Sequence, residues 1–323
     1  MNNKRLSIII PFYNVERYIA QCLDSVYHQD IPEEEYEVIC VNDGSPDNSR
    51  AIVMEYQKTH KNLILIEHDH NKKLGAARNT GRSLATGKYI WNVDSDDIIA
   101  PNCLGRMLSV CEQDNLDVLV FNICLLRKKN GIYKATKTAV IPPYHVCTGL
   151  QFFNDIKLLE FSHIAGVWRQ VFRREFLNQN EIYSPLINMG EDAPYTHKAI
   201  ILSKRLRVIP DECYYYRDAE NSILRQMNRE ITPLYAYQAS ILSTIALFPV
   251  LLLISDRTSE VYKREMNLIK YNAYKIFDYI NGMSKDNRHL FAMLCRRNLT
   301  EFLSVFPLFG FRRKLQLLRF LLR

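Results

Sequence analysis

Apolar and polar positions follow two rhythms in the first part of the chain. Leu6-Ser7-Ile8-Ile9-Ile10 is a short β-rich run, after which Val15, Tyr18, Ile19, Cys22, Leu23 and Val26 fall at helical spacing, with Asn14 placed to cap the helix. A second strand is predicted over Tyr36 to Val41, then a turn at Asp43-Gly44-Ser45-Pro46-Asp47, then a helix bearing Ile52, Val53 and Tyr56. Leu63 to Ile66 reads as a third strand, Leu74 to Ala85 as a helix ended by Gly87, and Tyr89 to Val93 as a fourth strand. Apolar strands alternating with amphipathic helices predict an α/β fold built on a mainly parallel central sheet, covered on both faces. Pro11 to Asn14, Asn42 to Ser45 and Asp94 to Asp97 each follow a strand, so all three should gather on the C-terminal edge of that sheet, where such folds bind ligands.

The rhythm then changes twice. Asp117 to Pro143 reads as further strands, Thr148 to Glu160 and Asp192 to Ser203 as helices, and Leu206 to Tyr216 as a strand. After about Arg225 glycine nearly vanishes and leucine- and tyrosine-rich helical patterns run to the end. The expected division is a domain over 1–224, with halves at 1–100 and 101–224, and a helical C-terminal region over 225–323. Ile241 to Ile254 is apolar but interrupted by Ser243, Thr244 and Pro249, which predicts a buried helix rather than a membrane span. The last segment, from Phe311 to Arg323, is basic and amphipathic; it either docks on an anionic membrane or packs on its own domain with a solvated basic face.

Composition narrows this picture modestly. With 47% hydrophobic and 24% charged residues the chain has material for a large core. A net charge of +7 fits an anionic substrate or surface without choosing between them. Eight cysteines are scattered without a CxxC pair, which points to buried free thiols in a reducing, cytoplasmic compartment and away from zinc. The short apolar start is broken by Pro11 and lacks a small-residue cleavage site, so it reads as a core strand and not as a signal peptide.

Asp94-Ser95-Asp96-Asp97 places three carboxylates at a strand end. Alone, this is equally a solvated turn; with its neighbours it is an oxygen-rich site suited to Mg²⁺ or Mn²⁺ and hence to a diphosphate. An aromatic and backbone amides in Pro11-Phe12-Tyr13-Asn14 could hold a nucleobase, Asp43 could accept from a base N–H, and Arg78 could pair with a diphosphate.

These motifs, in this order, resemble the signature of family 2 glycosyltransferases: Ser7-Ile8-Ile9-Ile10-Pro11-Phe12-Tyr13-Asn14, Val41-Asn42-Asp43-Gly44-Ser45-Pro46-Asp47-Asn48-Ser49, Gly75-Ala76-Ala77-Arg78-Asn79-Thr80-Gly81, Asp94-Ser95-Asp96-Asp97 and Gly190-Glu191-Asp192. The resemblance covers roughly the first two-thirds of the chain. It implies a GT-A fold, a Rossmann-like nucleotide-binding half fused to an acceptor-binding half, and transfer from a nucleotide-sugar, a UDP-sugar by expectation, with inversion. The acceptor it implies is a glycan or lipid-linked hydroxyl in cell-surface polysaccharide biosynthesis; peripheral contact with an anionic inner membrane is an expectation from the basic terminal helix, and no nucleic-acid partner is expected. Carried over, Pro11, Tyr13 and Asp43 contact the base, with Asn14 beside them. Asp94 or Asp96 contacts the ribose, and Asp96 or Asp97 reaches the metal.

The same resemblance makes Asp192 the base, with Glu191 beside it; the plain alternative is acidic charge at a helix N-terminus. Tyr216-Arg217 with Ser222-Ile223 is similar to the family's tail element, in which Arg217 would reach the diphosphate, although Asn221 stands where a glycine is usual. Trp168, followed by Arg169, could stack on a sugar or belong to the core. His163 and His197 are read as structural. Two other classes fit less well. A nucleotidyltransferase needs a Gly-rich basic N-terminal loop, and a silent nucleotide-sugar or glycan-binding module is expected to have lost the base or the acidic cluster.

Overall fold

The computed structural model describes residues 4–129, 132–137, 140–156, 164–187, 190–218 and 232–322. His163, Asn221, Ser222, Ile223 and Arg323 lie outside them. Two compact units pack separately: Met1–Leu186 with Tyr195–Ala219, and Ile187–Pro194 with Glu220–Arg323. The short segment carrying Glu191 and Asp192 thus packs with the helical unit, in contrast to the unbroken 1–224 domain expected from sequence.

The first unit is α/β. Strands β1 (Leu6–Phe12), β2 (Tyr36–Asn42), β3 (Leu63–Glu67) and β4 (Tyr89–Asn92) alternate with helices α1 (Ile19–Tyr27), α2 (Ser49–Thr59) and α3 (Leu74–Leu84). All their pairings are parallel. Every residue of β1 and β2 is buried, which accounts for near-continuous apolar runs instead of alternation. After β5 (Ile98–Ile99) and α4 (Leu104–Gln113) come β6 (Val118–Lys129), β7 (Ile132–Lys137), β8 (Tyr144–Cys147), α5 (Gly149–Asp155), β9 (Gln170–Arg173), α6 (Arg174–Gln179), α7 (Asp192–Leu202) and β10 (Leu206–Arg217). The sheet order is β3-β2-β1-β4-β9-β6-β10-β5, with β7 on β6 and β8 on β10. Strand β9 runs antiparallel to both β4 and β6 and so welds a parallel nucleotide half to a mixed second half.

One expected detail fails. Asn14 caps nothing: α1 begins at Ile19, and Asn14 sits at φ 57°. Asparagine tolerates that left-handed conformation. The loop amides that follow β1 are used elsewhere, Asn14 N donating to Ser45 Oγ (2.8 Å), Val15 N to Ser49 Oγ (3.2 Å) and Glu16 N to Asp47 Oδ2 (2.8 Å).

The second unit consists of helices α8 (Pro233–Leu252, with a π turn at Gln238–Leu242), α9 (Glu260–Gly282), α10 (Lys285–Arg297), α11 (Leu299–Val305) and α12 (Phe311–Leu322). Thr232, Ser259 and Ser284 start α8, α9 and α10 by accepting from the N3 amides, as N-cap hydroxyls do. Tyr237, Ile276, Phe277, Phe291, Phe302, Leu317 and Leu321 form the core of this unit. Helix α8 is long and apolar enough to cross a membrane by length and composition, yet more than half of its apolar window is buried. Its Ser240 and Thr244 hydroxyls donate to carbonyls one turn back, which removes the polar obstacle to burial.

Candidate nucleotide-sugar site

The ends of β1, β2 and β4 meet on one edge. Phe12 is in register with Asn42, and Asp43 N donates to Phe12 O (3.0 Å). Asn42 Oδ1 accepts from Ser45 N (2.8 Å), and the Ser45 hydroxyl donates to Asp47 Oδ1 (2.6 Å), closing the turn after β2. Tyr13 stands out from this edge, 44% exposed, as a base-stacking ring needs to be, while Pro11 is buried beneath it.

Asp43 is buried and already occupied. Oδ1 accepts from Lys72 N (2.8 Å) and lies 2.7 Å from His68 Nδ1; Oδ2 accepts from Lys73 N (2.8 Å). His68 Nε2 in turn lies 2.9 Å from Thr80 Oγ1. Asp43 therefore shapes the loop from His68 to Lys73, and any contact with a base is made by a carboxylate held from behind.

Helix α3 shows why the Gly75–Gly81 motif has its composition. A Cβ on Gly75 would lie 2.4 Å from Pro185 O, and one on Gly81 would lie 2.4 Å from Ile9 Cγ2. The two glycines let the helix press against a loop on one side and β1 on the other. Between them Arg78, 3% exposed, donates through Nη2 to Asp94 Oδ1 (2.9 Å). Asn79 exchanges two hydrogen bonds of 2.9 Å with the backbone of Ser184, and Arg82 donates to Asn178 and lies over the Tyr183 ring. Arg78 thus reaches the acidic cluster, as a partner of Asp94.

The three carboxylates of that cluster are sorted by their partners. Asp97 is 1% exposed; Oδ2 accepts from Tyr214 OH (2.7 Å) and Oδ1 from Arg217 N (2.6 Å). Burial, with the neighbouring Asp96 and Asp94 charges, pushes its pKa well above the ordinary carboxylate value. Asp97 is in effect a pin joining the cluster to the end of β10, each of its oxygens already accepting one hydrogen bond. Asp94 is engaged by Arg78 and keeps 22% of its side chain exposed. Among the described residues, no other side chain hydrogen-bonds the Asp96 carboxylate. Burial, then the Asp94 charge, pushes Asp96 up to about 6. A carboxylate desolvated and crowded by like charge, eased only by its own backbone amide and the Arg217 charge, suits a divalent cation. Among the described residues no group of three or more His, Cys, Asp or Glu could hold a metal ion by itself. Mg²⁺ or Mn²⁺ held by one carboxylate, substrate phosphates and water is compatible with that.

Arg217 completes the edge. Its side chain is 4% exposed, with the guanidinium 5.1 Å from the Tyr18 ring centroid and 4.9 Å from that of Tyr133. Its Nε and Nη2 are buried and have no hydrogen-bond partner among the described residues. A cation held between two aromatic faces, with donors left over, is a ready receptor for phosphate oxygens.

The remaining expectations divide. Trp168 stacks on Tyr214 (5.0 Å) and Tyr216 (5.2 Å) within the first unit's aromatic packing. Arg169 is a buried brace, donating to Phe121 O and Asn122 Oδ1, with its pKa lowered by burial to about 10. His197 is buried against the Phe153 ring. Gly190 (φ 74°) and Ala193 pack within the helical unit, Gly190 beside Ser243 and Ala193 against Leu247 and Ile269; Glu191 is buried and Asp192 opens α7. A cavity of about 450 Å³ near the opposite strand ends is lined by Lys4, Arg5, Lys88, Arg173 and Arg174. Arg5 and Arg173 are paired there with Glu35, Glu112, Asp117 and Glu175, and Arg174 with the Thr86 and Gly87 carbonyls. No role was expected of Tyr18, Tyr133, His68 and Tyr214. Their signals, an aromatic at helical spacing or in a strand and a polar residue in a loop, are those of ordinary packing.

The chain has relatives of known family. The family model for glycosyl transferase family 2 matches residues 7–179. The glycosyltransferase EpsJ of Bacillus subtilis is 34% identical over 226 residues, which are 68% of this chain and 62% of that protein. The poly(ribitol-phosphate) beta-glucosyltransferase of Bacillus spizizenii is 33% identical over 67% of this chain and 33% of its own length. The chain thus spans less than two-thirds of these relatives. Among solved structures, S. aureus TarS 1-349 in complex with UDP-GlcNAc superposes with a TM-score of 0.65 at 21% identity, covering 94% of this chain and 79% of that one. A mannosyltransferase from Pyrobaculum calidifontis in complex with GDP-Man and Mn²⁺ superposes at 0.53 and 19% identity, covering 94% and 85%. The fold is GT-A, and the chain belongs to glycosyl transferase family 2.

Proposed function

We propose that the protein transfers a sugar from a UDP-sugar to a hydroxyl of a glycan or lipid-linked acceptor in cell-surface polysaccharide synthesis, with inversion at the anomeric carbon. The observation that carries this reading is the division of labour at the strand edge. Asp97 pins β10, Arg78 holds Asp94, and Asp96 and the Arg217 donors are left for a ligand. UDP as the nucleotide is supported by the UDP-GlcNAc complex of TarS. Poly(ribitol-phosphate) transferases among the relatives support an acceptor at the cell surface.

Asp96 would hold Mn²⁺ or Mg²⁺, which when bound neutralises charge on the departing diphosphate. Arg217 donates to the same phosphates, from a position fixed before the reaction, so little reorganisation is needed as charge develops. Asp94, oriented by Arg78, takes the ribose hydroxyls; Tyr13 covers the base, with Asn14 and Asp43 shaping the floor. Asp192, from its place in the Gly190-Glu191-Asp192 motif, takes the proton of the attacking hydroxyl, with Glu191 beside it. The new glycosidic bond forms as the sugar–phosphate bond breaks, and that electron pair leaves on UDP. The test is UDP release from UDP-sugars with Mn²⁺, with and without acceptor. Asp96→Ala should lower release by about 10²- to 10³-fold in both cases, while Asp192→Asn should abolish acceptor-dependent transfer. Wild-type turnover by both variants would overturn the assignment.

A further inference from the structure

The charge of the chain is unevenly placed. Residues 285–323 contain nine Lys and Arg against two Asp and Glu, so this terminal stretch carries the whole formal excess of +7 and the rest sums to zero. Helix α12 lies within it. Leu317 and Leu321 are buried in the helical core, so the helix is already anchored by one face. Phe311, Leu315 and Leu318, at the i, i+4, i+7 spacing of a single stripe, nevertheless remain 76%, 39% and 40% exposed. Arg312 and Arg319 are exposed one position after Phe311 and Leu318, so at 100° per residue they border this stripe. Among the described residues neither takes part in an ion pair. A solvated face would put its charges outward and its leucines inward; here a second apolar face points to solvent with both cations along one flank.

We infer that the α12 stripe docks on an anionic bilayer surface, with Phe311, Leu315 and Leu318 entering the headgroup–acyl boundary and Arg312 and Arg319 on lipid phosphates. Charge complementarity selects this occupant: two cations bordering three apolar side chains suit a negatively charged interface, whereas a second copy of α12 would set like charges against each other. The inference stands apart from the transferase chemistry.

The full chain is sedimented with vesicles of phosphatidylcholine alone, or mixed with phosphatidylglycerol, at low and high salt. Wild type should bind the mixed vesicles and be released by salt. Replacing Arg312 and Arg319 together by Gln should weaken binding about 10- to 30-fold. The triple replacement Phe311→Ser, Leu315→Ser, Leu318→Ser should weaken it more than about 100-fold, with the chain still folded and its unfolding lowered by no more than several degrees. The inference is overturned by any of three results: absence of wild-type binding, equal binding to neutral vesicles, or wild-type binding by both variants. Self-association that the triple replacement abolishes, without vesicle binding, assigns the stripe to a second copy and also overturns it.

Discussion

The strand edge of the first unit and helix α12 of the second treat polarity in opposite ways. At the edge, charged groups are buried and held: Asp43 by two amides and His68, Asp97 by Tyr214 and the Arg217 amide, Arg217 between two rings. On α12, the cations Arg312 and Arg319 are solvated, and apolar Phe311, Leu315 and Leu318 are exposed. Burying charge is expensive unless each group is paired, so the edge is constrained almost atom by atom. A surface that meets a fluid partner needs only a composition and a face. Substitutions should therefore act through chemistry at the edge, through packing beneath it, and only weakly on folding at the exposed face of α12.

The largest effect expected is on turnover. Arg217→Ala and Asp96→Ala should each lower the rate of UDP release by about 10²- to 10³-fold, as loss of a preorganised charge partner does. Arg217→Lys should recover little, because an ammonium lacks the planar fork that sits between Tyr18 and Tyr133. Steady-state assays at saturating metal check both.

A stability effect of opposite sign comes next. The folded Asp96 carboxyl, at about 6, lies above its ordinary value, so the folded state binds its proton more tightly. That contribution is fully present below about pH 4 and is lost as pH rises through 6. Asp96→Asn should therefore stabilise the metal-free protein by up to about 2–3 kcal/mol at pH 7.5 and leave it unchanged near pH 4. Urea unfolding at the two pH values measures the difference.

Packing beneath the edge follows. Gly81→Ala must push a methyl to within 2.4 Å of buried Ile9 Cγ2, which should destabilise by about 1–3 kcal/mol and lower the melting temperature by several degrees. The smallest effect is at the compared surface, where Leu315→Ser should destabilise by no more than about 1 kcal/mol. A loss as large as that of Gly81→Ala would show the Phe311–Leu315–Leu318 face of α12 to be core, and would break the contrast.

The contrast also explains what was legible in the sequence. Strands β1, β2 and β4 and the gathering of their terminal motifs could be read because buried parallel strands leave unbroken apolar runs. The partners that sort the acidic cluster could not be read. Asp94, Asp96 and Asp97 are alike as letters, and what separates them is Arg78 from α3, and Tyr214 and the Arg217 amide from β10, distant in sequence. Asn14 misled because a cap and a left-handed turn favour the same residue. The packing of Gly190 and Ala193 with the helical unit was hidden for a related reason: nothing in the local pattern says which layer a short connecting segment joins.

The central claim is that Asp96, not Asp97, is the carboxylate left for the metal–diphosphate. Mn²⁺ binding in the presence of UDP, followed by electron paramagnetic resonance for wild type, Asp96→Asn and Asp97→Asn, tests it most directly. The account predicts that Asp96→Asn loses Mn²⁺ affinity by more than about tenfold, that Asp97→Asn keeps it to within a few-fold, and that wild type loses it as pH falls below about 6. Full Mn²⁺ affinity in Asp96→Asn, with loss in Asp97→Asn, would contradict it.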